Sequence, residues 1–566
     1  MNESNSALAQ SPGDKSAAAL DGAQAAIGDA QAKKKKWGKK EKENLGFWRE
    51  NIEALAVAIV MALTVKLFFF EAFKVPTESM EPAIIGRVEG GDRLIVNKFV
   101  YQLRDPRRWE IIVFQYPLNR LVNYVKRCVG MPDEWLFIRN GDIYTSDGSL
   151  EHAAALKAAS IQRKPDSVQD AIFDRANLIP PSDREVAQFT RYWEKANGEF
   201  GKGSVAPLKS DGKIVFRAKS GVTLVKFKRP PSQLERRGPD GVVSVPVISN
   251  RRYDSWSPSA DKPGGLLGIL GSPGPARGTA PGPGYDDEVG DIRLNFEVEP
   301  ATGEGTAIIR LLDGTHGIPI QVEIAVEGSG RTSRLLFGEV SKDLDVKLRP
   351  NEWTEISVAN CDDRILIIVD GDEVARHDYR HAFIEPNEAK IGGGPAPAPG
   401  EDFVARAFQP THDLPHENGV AFGFDGGRAG VRAIELSRDL YYTYAGQTDF
   451  KIPEKSYLMC GDNSPNSLDA RGFKATILEY KNDDGEVVTM RGDAEGVSAD
   501  ESKPRPMMNP FNNDQTFYDD FGNTIELDPS RIISQKTVFA HYVHRDQIVG
   551  RAYLTFWPIM QAGIIR

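Results

Sequence analysis

Ile111-Ile112-Val113-Phe114-Gln115-Tyr116-Pro117-Leu118-Asn119-Arg120-Leu121-Val122-Asn123-Tyr124-Val125 is an apolar run, a polar interruption and a second apolar run. Short apolar runs bounded by Gly, Pro, Asn or Asp are the mark of buried strands joined by tight turns. The same rhythm holds on both sides. Leu94-Ile95-Val96 follows Gly90-Gly91-Asp92, and Leu136 to Ile138 continues the series. A mainly β core over residues 72–145 is the expectation.

Upstream, an apolar stretch runs from Ile52 to Phe70, with Glu53 at its entry and Lys66 near its exit. At 1.5 Å per residue this length spans a hydrocarbon core of ~30 Å, and both charges lie near enough to the ends to snorkel. Residues 51–71 are therefore expected to form a transmembrane helix. Lys33, Lys34, Lys35, Lys36, Lys39, Lys40 and Lys42 precede it. The positive-inside rule then puts residues 1–50, a disordered basic tail, in the cytoplasm and everything after the span outside. A cleavable signal peptide fits poorly, because the basic region starts late and no small-x-small site follows the apolar run.

The net charge of -10 over 566 residues offers nothing to nucleic acid. Cys128, Cys361 and Cys460 form no spaced motif and read as structural.

Downstream, residues 146–256 read as a mixed insertion, helical from about Glu151 to Asn177, and 257–288 as a Pro/Gly-rich linker. Residues 289–440 alternate apolar and polar: Ile292, Leu294, Phe296, Val298, then Val322, Ile324, Val326. Ile365 to Val369 leads into the hairpin-type pair Asp370-Gly371. Regularly spaced amphipathic strands indicate an inserted antiparallel β-sandwich. Asp370, Asp372 and Glu373 lack EF-hand spacing and read as a solvated turn. Residues 441–473 return to apolar strand, 474–535 read as a polar insertion of low periodicity, and 536–566 close the core.

Serine needs a base to act as a nucleophile. None of the eight histidines lies in the segments around Ser79 or Lys126. A lysine serves if burial disfavours its charged form, and Lys126 lies between Tyr124-Val125 and Cys128-Val129. Taken singly, Ser79 reads as a turn or cap residue and Lys126 as a lysine on the exposed face of a strand.

Four segments in order change that reading. They are Val75-Pro76-Thr77-Glu78-Ser79-Met80-Glu81-Pro82; Gly91-Asp92-Arg93-Leu94-Ile95-Val96-Asn97-Lys98; Tyr124-Val125-Lys126-Arg127-Cys128-Val129-Gly130-Met131-Pro132; and Gly461-Asp462-Asn463-Ser464-Pro465-Asn466-Ser467-Leu468-Asp469-Ala470-Arg471. With Ile548-Val549-Gly550-Arg551-Ala552 they closely resemble the type I signal peptidases, membrane-bound serine proteases with a Ser–Lys dyad. The resemblance implies a signal-peptidase-like β catalytic core in which Ser79 is the nucleophile and Lys126 the general base. It also implies an oxyanion hole from the Thr77 hydroxyl and the Ser79 N–H, Ser467 orienting the lysine, and Asp469 and Arg471 as a supporting pair. Phe73, Val75, Pro76, Met80, Tyr124 and Val125 would line shallow substrate pockets for small side chains. No metal or other cofactor is implied. The implied partners are preprotein signal peptides and membrane lipid, in a single-pass protein of the cytoplasmic membrane with an extracytoplasmic catalytic domain. Ala83, Asp133, Glu134, Ser464 and Ala470 depart from the family pattern.

Residues around Ile367-Ile368-Val369-Asp370-Gly371 resemble a concanavalin- or laminin-G-like jelly roll, whose ligand, if it has one, the sequence leaves open. Two rivals stay open at this point: a self-cleaving repressor-type Ser–Lys protease, and an anchored binding protein with an inert peptidase core.

Overall fold

The computed structural model describes residues 49–87, 91–179, 188–196, 208–210, 212–228, 235–238, 241–244, 289–312, 319–379, 419–443, 447–493, 515–559 and 562–566. The basic tail and the Pro/Gly-rich stretch 258–284 lie outside these residues.

Arg49–Phe69 is one helix of 21 residues, long and apolar enough to cross a membrane. Leu, Ile, Val, Ala and Phe side chains cover it without a polar face, and all are exposed. Its entry charge is compensated within the helix, because Arg49 Nε lies 2.8 Å from Glu53 Oε1 one turn on. Such a pair lowers the cost of a carboxylate at the membrane boundary.

The sheet that carries the peptidase motifs runs Arg93–Asn97, Ile548–Trp557, Ile111–Tyr116, Asn119–Gly130, Ser456–Cys460, Val543–His544 in spatial order. Strands from residues 93, 548 and 456 join one sheet because each is a short apolar run that cannot bury itself alone. The strand Asn119–Gly130 is central. Val113 pairs with Val125 and Ile112 with Lys126 on one side, and Cys460 pairs with Arg127 on the other. Two apolar clusters flank this sheet. One holds Val75, Met80, Ile84, Leu94, Val96, Ile111 and Val113; the other holds Ile112, Phe114, Tyr116, Cys128, Met459 and Cys460. Along Ile111–Tyr116, Ile111 and Val113 therefore face one cluster and Ile112, Phe114 and Tyr116 the other, as a period of two demands. All three cysteines are free and buried.

The inserted β unit has a different design. A 20-residue strand, Gly419–Arg438, runs through it. Its first half pairs with Thr306–Leu312 and its second with Ile292–Pro300. The ribbon breaks between the halves, where Gly426 and Gly427 take φ values of 74° and 75° and Gly305 takes 103°. A Cβ on Gly305 would stand 2.2 Å from the Gly426 carbonyl oxygen, so the crossing admits no side chain. One apolar cluster takes Leu294, Phe296, Ile356 and Ile367 from one half and Ile309, Leu311, Val322 and Ile324 from the other. The alternation expected along Ile292–Pro300 is present, with Ile292, Leu294, Phe296 and Val298 buried and the residues between them partly exposed.

Three sequence expectations need correction. Part of the stretch 146–256 joins the inserted unit: Lys213–Phe227 pairs along Gly419–Arg438, and Trp193 packs edge-on against Phe422 at 4.8 Å between centroids. The strand was hidden because Ile214-Val215-Phe216 and Thr223-Leu224-Val225 are buried on both faces, which erases alternation. The helix expected over Glu151 to Asn177 is two, His152–Ala158 and Asp166–Arg175, divided before Pro165, which disfavours helix in the residue preceding it. Residues 474–535 are not merely a polar excursion. Lys474–Lys481 forms strands with Val487–Asp493 and Ile532–Phe539, over a small core of Leu478, Met490, Phe517 and Leu527.

Candidate active site

Ser79 sits in the single tight turn Glu78–Met80, entered from the extended residue Thr77 (φ -119°, ψ 151°). Met80 is wholly buried and anchors the turn in the apolar cluster beneath it. The turn is held from outside by the fourth motif. Asn463 N donates to the Ser79 carbonyl at 3.1 Å, and Asn463 Nδ2 donates to the Glu78 carbonyl at 3.1 Å.

Lys126 projects from the central strand toward this turn. Its Nζ is 2.5 Å from Ser79 Oγ, and the two residues are 4% and 7% exposed. The Lys126 ammonium position also lies 5.3 Å from the Tyr124 ring centroid, two residues back on the same strand face. Thr77 Oγ1 is 3.4 Å from Ser79 Oγ. Serine hydroxyl, lysine amine and second hydroxyl are thus gathered within hydrogen-bond reach, the first two 47 residues apart in sequence.

Asp469 and Arg471 form a buried pair with 2.6 Å between Nη2 and Oδ2. Asp469 Oδ2 also accepts from the Gly461 N–H at 2.9 Å. Burial opposes ionisation of Asp469, but the Arg471 guanidinium and that N–H outweigh it and hold the carboxyl below its usual range. Arg471 Nη1 donates onward to the Thr443 carbonyl at 2.7 Å and to the Ser464 hydroxyl.

Ser467 departs from expectation. Its Oγ is buried and among the described residues has no hydrogen-bond partner, so the bond expected to the lysine is not formed in this structure. The backbone turn Ser464–Asn466 instead directs it against Gly461. A Cβ at Gly461 would lie 2.1 Å from Ser467 Oγ and 2.5 Å from the Ser79 carbonyl oxygen.

The residues expected to line substrate pockets divide in two. Val75 and Met80 are in the cluster beneath the serine turn, with Phe73 and Val125 partly buried against it. Tyr124 belongs to the opposite cluster and stacks on Tyr116 at 4.7 Å. Pro76 is exposed beside the serine turn.

Two features escaped the sequence reading. Gly461 is one, since only glycine fits between Ser467 and the Ser79 carbonyl. The other is the wholly buried pair Arg127–Asp462, with Nε–Oδ1 2.8 Å and Nη2–Oδ2 2.7 Å. Both residues stood in the quoted motifs, and a charged residue directly after Lys126 on an apolar strand was the available signal.

The departures from the family pattern have local partners. Asp133 takes φ 61°, a left-handed position that Asp tolerates. Glu134 accepts from the Met131 N–H at 2.7 Å and pairs with Arg108 at 2.6 Å. The Ala470 carbonyl accepts from His541 Nδ1 at 2.7 Å. Burial pushes the His541 pKa down, partly opposed by its bond to the Ala470 carbonyl, and so favours the neutral imidazole.

The signal peptidase, peptidase S26, family matches residues 48–188. A probable signal peptidase I-2 of Synechocystis is 29% identical over 161 residues, covering 27% of this chain and 70% of the relative. Signal peptidase I of Leptolyngbya laminosa is 30% identical over 152 residues, covering 25% and 70%. Signal peptidase I of Pseudomonas fluorescens is 36% identical over 177 residues, covering 25% and 61%. Among solved structures, a sialidase is similar at 12% identity with a TM-score of 0.23, covering 53% of this chain and 21% of that chain. The carbohydrate-binding module CBM66 of Bacillus subtilis is similar at 8% identity with a TM-score of 0.21, covering 43% and 94%. Structural likeness at that level carries no argument here.

Proposed function

This chain belongs to the signal peptidase I family of serine endopeptidases, and from that premise we propose that it removes N-terminal signal peptides from exported preproteins by a Ser79–Lys126 dyad. The observation that carries the mechanism is the 2.5 Å contact between Lys126 Nζ and Ser79 Oγ in a buried setting. His541, the buried histidine of this part of the chain, bonds to Ala470 instead.

Ser79 Oγ attacks the scissile carbonyl carbon while Lys126 Nζ takes its proton. The Ser79 N–H and the Thr77 hydroxyl receive the developing oxyanion. Donors so placed are each worth ~2.7–4 kcal/mol in acyl transfer. The lysine then protonates the leaving amine, and water hydrolyses the acyl-enzyme with Lys126 again as base. Asp469–Arg471 and Arg127–Asp462 are positioning pairs. They fix the Gly461 segment and the lysine strand from the side away from the reacting atoms. Ser467 supplies an unbonded hydroxyl beside the serine turn, and we read it as a site for the lysine amine once Ser79 is acylated.

The substrate adds as an extended strand, with small side chains over Val75, Met80 and Val125. The helix Arg49–Phe69 anchors the enzyme as a single-pass protein of the cytoplasmic membrane, N-terminus inside, so that catalysis occurs at the outer face where signal peptides emerge. The inserted unit is a concanavalin- or laminin-G-like sandwich acting as spacer or recognition module. The inert-core reading is disfavoured by the intact serine–lysine contact.

Cleavage of a model preprotein in detergent tests the assignment. Ser79→Ala and Lys126→Ala are each expected to lose on the order of 10⁴-fold or more in turnover, as dyad members act as a unit, with melting curves unchanged. Substantial turnover by folded Lys126→Ala would refute the dyad.

A further inference from the structure

Three carboxylates far apart in sequence meet where the catalytic core adjoins the inserted unit. Asp142 opens the strand Asp142–Asp147. Asp291 stands just before the strand Ile292–Pro300. Asp362 lies in the turn joining Thr354–Cys361 to Arg364–Val369. One oxygen from each lies within 4.8 Å of the other two. Oxygens that share a calcium ion at ~2.3–2.6 Å are separated by no more than about this distance.

Their surroundings are crowded with negative charge. Asp363 and Asp439 are also buried here, 2% and 0% exposed. Lys164 Nζ donates to Asp362 Oδ1 at 2.6 Å and to Asp439 Oδ2 at 2.9 Å. Arg163 donates to the backbone carbonyls of Asp362 and Asp363, and Arg438 to that of Asp439. Tyr144 reaches Asp363 at 3.4 Å. Asp291 Oδ2 accepts from the Asp362 N–H at 2.9 Å.

Asp142 differs from the others. It is 7% exposed, and among the described residues nothing donates a hydrogen bond to its side chain. It points at two further carboxylates rather than at a donor. Burying a carboxylate beside two others costs several kcal/mol, and the Lys164 ammonium, bonded to Asp362 and Asp439, offsets only part of that.

We propose that Asp142, Asp291 and Asp362 bind one divalent cation of the calcium class, which ties the inserted unit to the catalytic core. An all-oxygen donor set selects a hard cation over zinc or copper. Irregular placement in a strand start, a loop and a turn suits calcium's flexible shell better than magnesium's strict octahedron. The ion joins Asp142 to Asp291, 149 residues on, and Asp291 to Asp362, a further 71 residues on. It acts at long loops, where closure removes the most chain entropy.

The test uses the full chain in detergent, stripped with EDTA, dialysed and titrated with calcium by calorimetry, with melting followed in parallel. One calcium per chain is expected, with a rise in melting temperature on adding it. Asp142→Asn keeps the side-chain volume and removes a buried charge; it should fold, bind calcium at least tenfold more weakly and lose the calcium-dependent rise. Asp291→Asn, at a less buried position, should show the same loss and carries the test if the first variant does not fold. Asp372→Asn, in the exposed acidic turn, should change neither. The proposal is overturned if stripped wild type binds no calcium up to ~1 mM with melting indifferent to calcium and EDTA. It is also overturned if binding is unchanged in the Asp142 and Asp291 variants.

Discussion

In the catalytic core, Arg127, Asp462, Asp469 and Arg471 are all 3% exposed or less. In the inserted unit, the cluster filling the space between the two halves is built from Leu294, Phe296, Ile309, Val322, Ile356, Ile367, Phe422 and their apolar neighbours. Its outer face carries ion pairs such as Arg334–Glu323 at 3.2 Å with the arginine side chain 46% exposed, and its buried pair Lys164–Asp362 stands where it adjoins the catalytic core, outside this apolar cluster. Burying an ion pair rarely stabilises a fold more than well-packed apolar residues of the same volume would. A sheet that nevertheless buries two of them beside a serine and a lysine is shaped by geometry rather than by stability. The inserted unit meets no such demand, and its core follows from area alone.

Removing one charge from a buried pair is the strongest way to break that contrast. Asp462→Asn leaves the Arg127 guanidinium, wholly buried, without its counter-ion. A loss of ~3–5 kcal/mol is expected, read as a large drop in denaturation midpoint, and peptide cleavage should fall with it because Arg127 adjoins Lys126. A near-neutral result would mean that the pair is decorative and that the two regions do not differ in kind.

Phe422→Ala makes the matching test in the inserted unit. Phe422 is wholly buried, edge-on to Trp193 and 5.1 Å from the Phe296 ring centroid. Truncating it should cost ~3–5 kcal/mol. Below the melting point, however, turnover of a short peptide should stay near the wild-type value, since nothing from this cluster reaches Ser79. Peptide turnover lost in the still-folded variant would show that the inserted unit helps build the active site.

These two tests also mark what could be read from the chain. The approach of Lys126 and Thr77 to Ser79 and the Asp469–Arg471 pair were legible because each residue sits in a short motif whose order survives in sequence. The alternating strand Ile292–Pro300 was legible because one face is dry and the other wet. Lys213–Phe227 was not, because its partner Gly419–Arg438 lies about 200 residues on, and its register shifts between Ala218 and Val222. The Asp142–Asp291–Asp362 cluster was invisible for the same reason: nothing local links three aspartates drawn from three distant segments. Gly461 was quoted without its reason, which is a clash that only coordinates reveal.

Acid offers a gentler probe. The Asp469 carboxyl is opposed by burial but held below its usual range chiefly by Arg471. A carboxyl more acidic in the folded state stabilises the fold fully above its unfolded value, ~3.9. That contribution is lost as pH falls through the folded value. The melting temperature should therefore fall as pH is lowered below about 4. Replacing both partners, Asp469→Asn with Arg471→Gln, should flatten the curve in that window. An equally steep curve in the double variant would place the acid sensitivity elsewhere.

The smallest effect should come from the surface of the inserted unit. Arg334 and Glu323 pair across neighbouring strands, Leu335 and Val322 beside them pointing into the core. Arg334 keeps nearly half of its side chain in water, so its charge is screened and its rotamers are not held by packing. Exposed pairs of this sort contribute ~0.2–1 kcal/mol, and Arg334→Ala should shift the denaturation midpoint by no more than that. Raising salt should shrink even this difference, because screening acts on the wild-type pair alone. A loss as large as that of Asp462→Asn would mean that the outer face of the unit is held by charge after all. The division between a core that buries ions for geometry and a unit that buries carbon for stability would then fail.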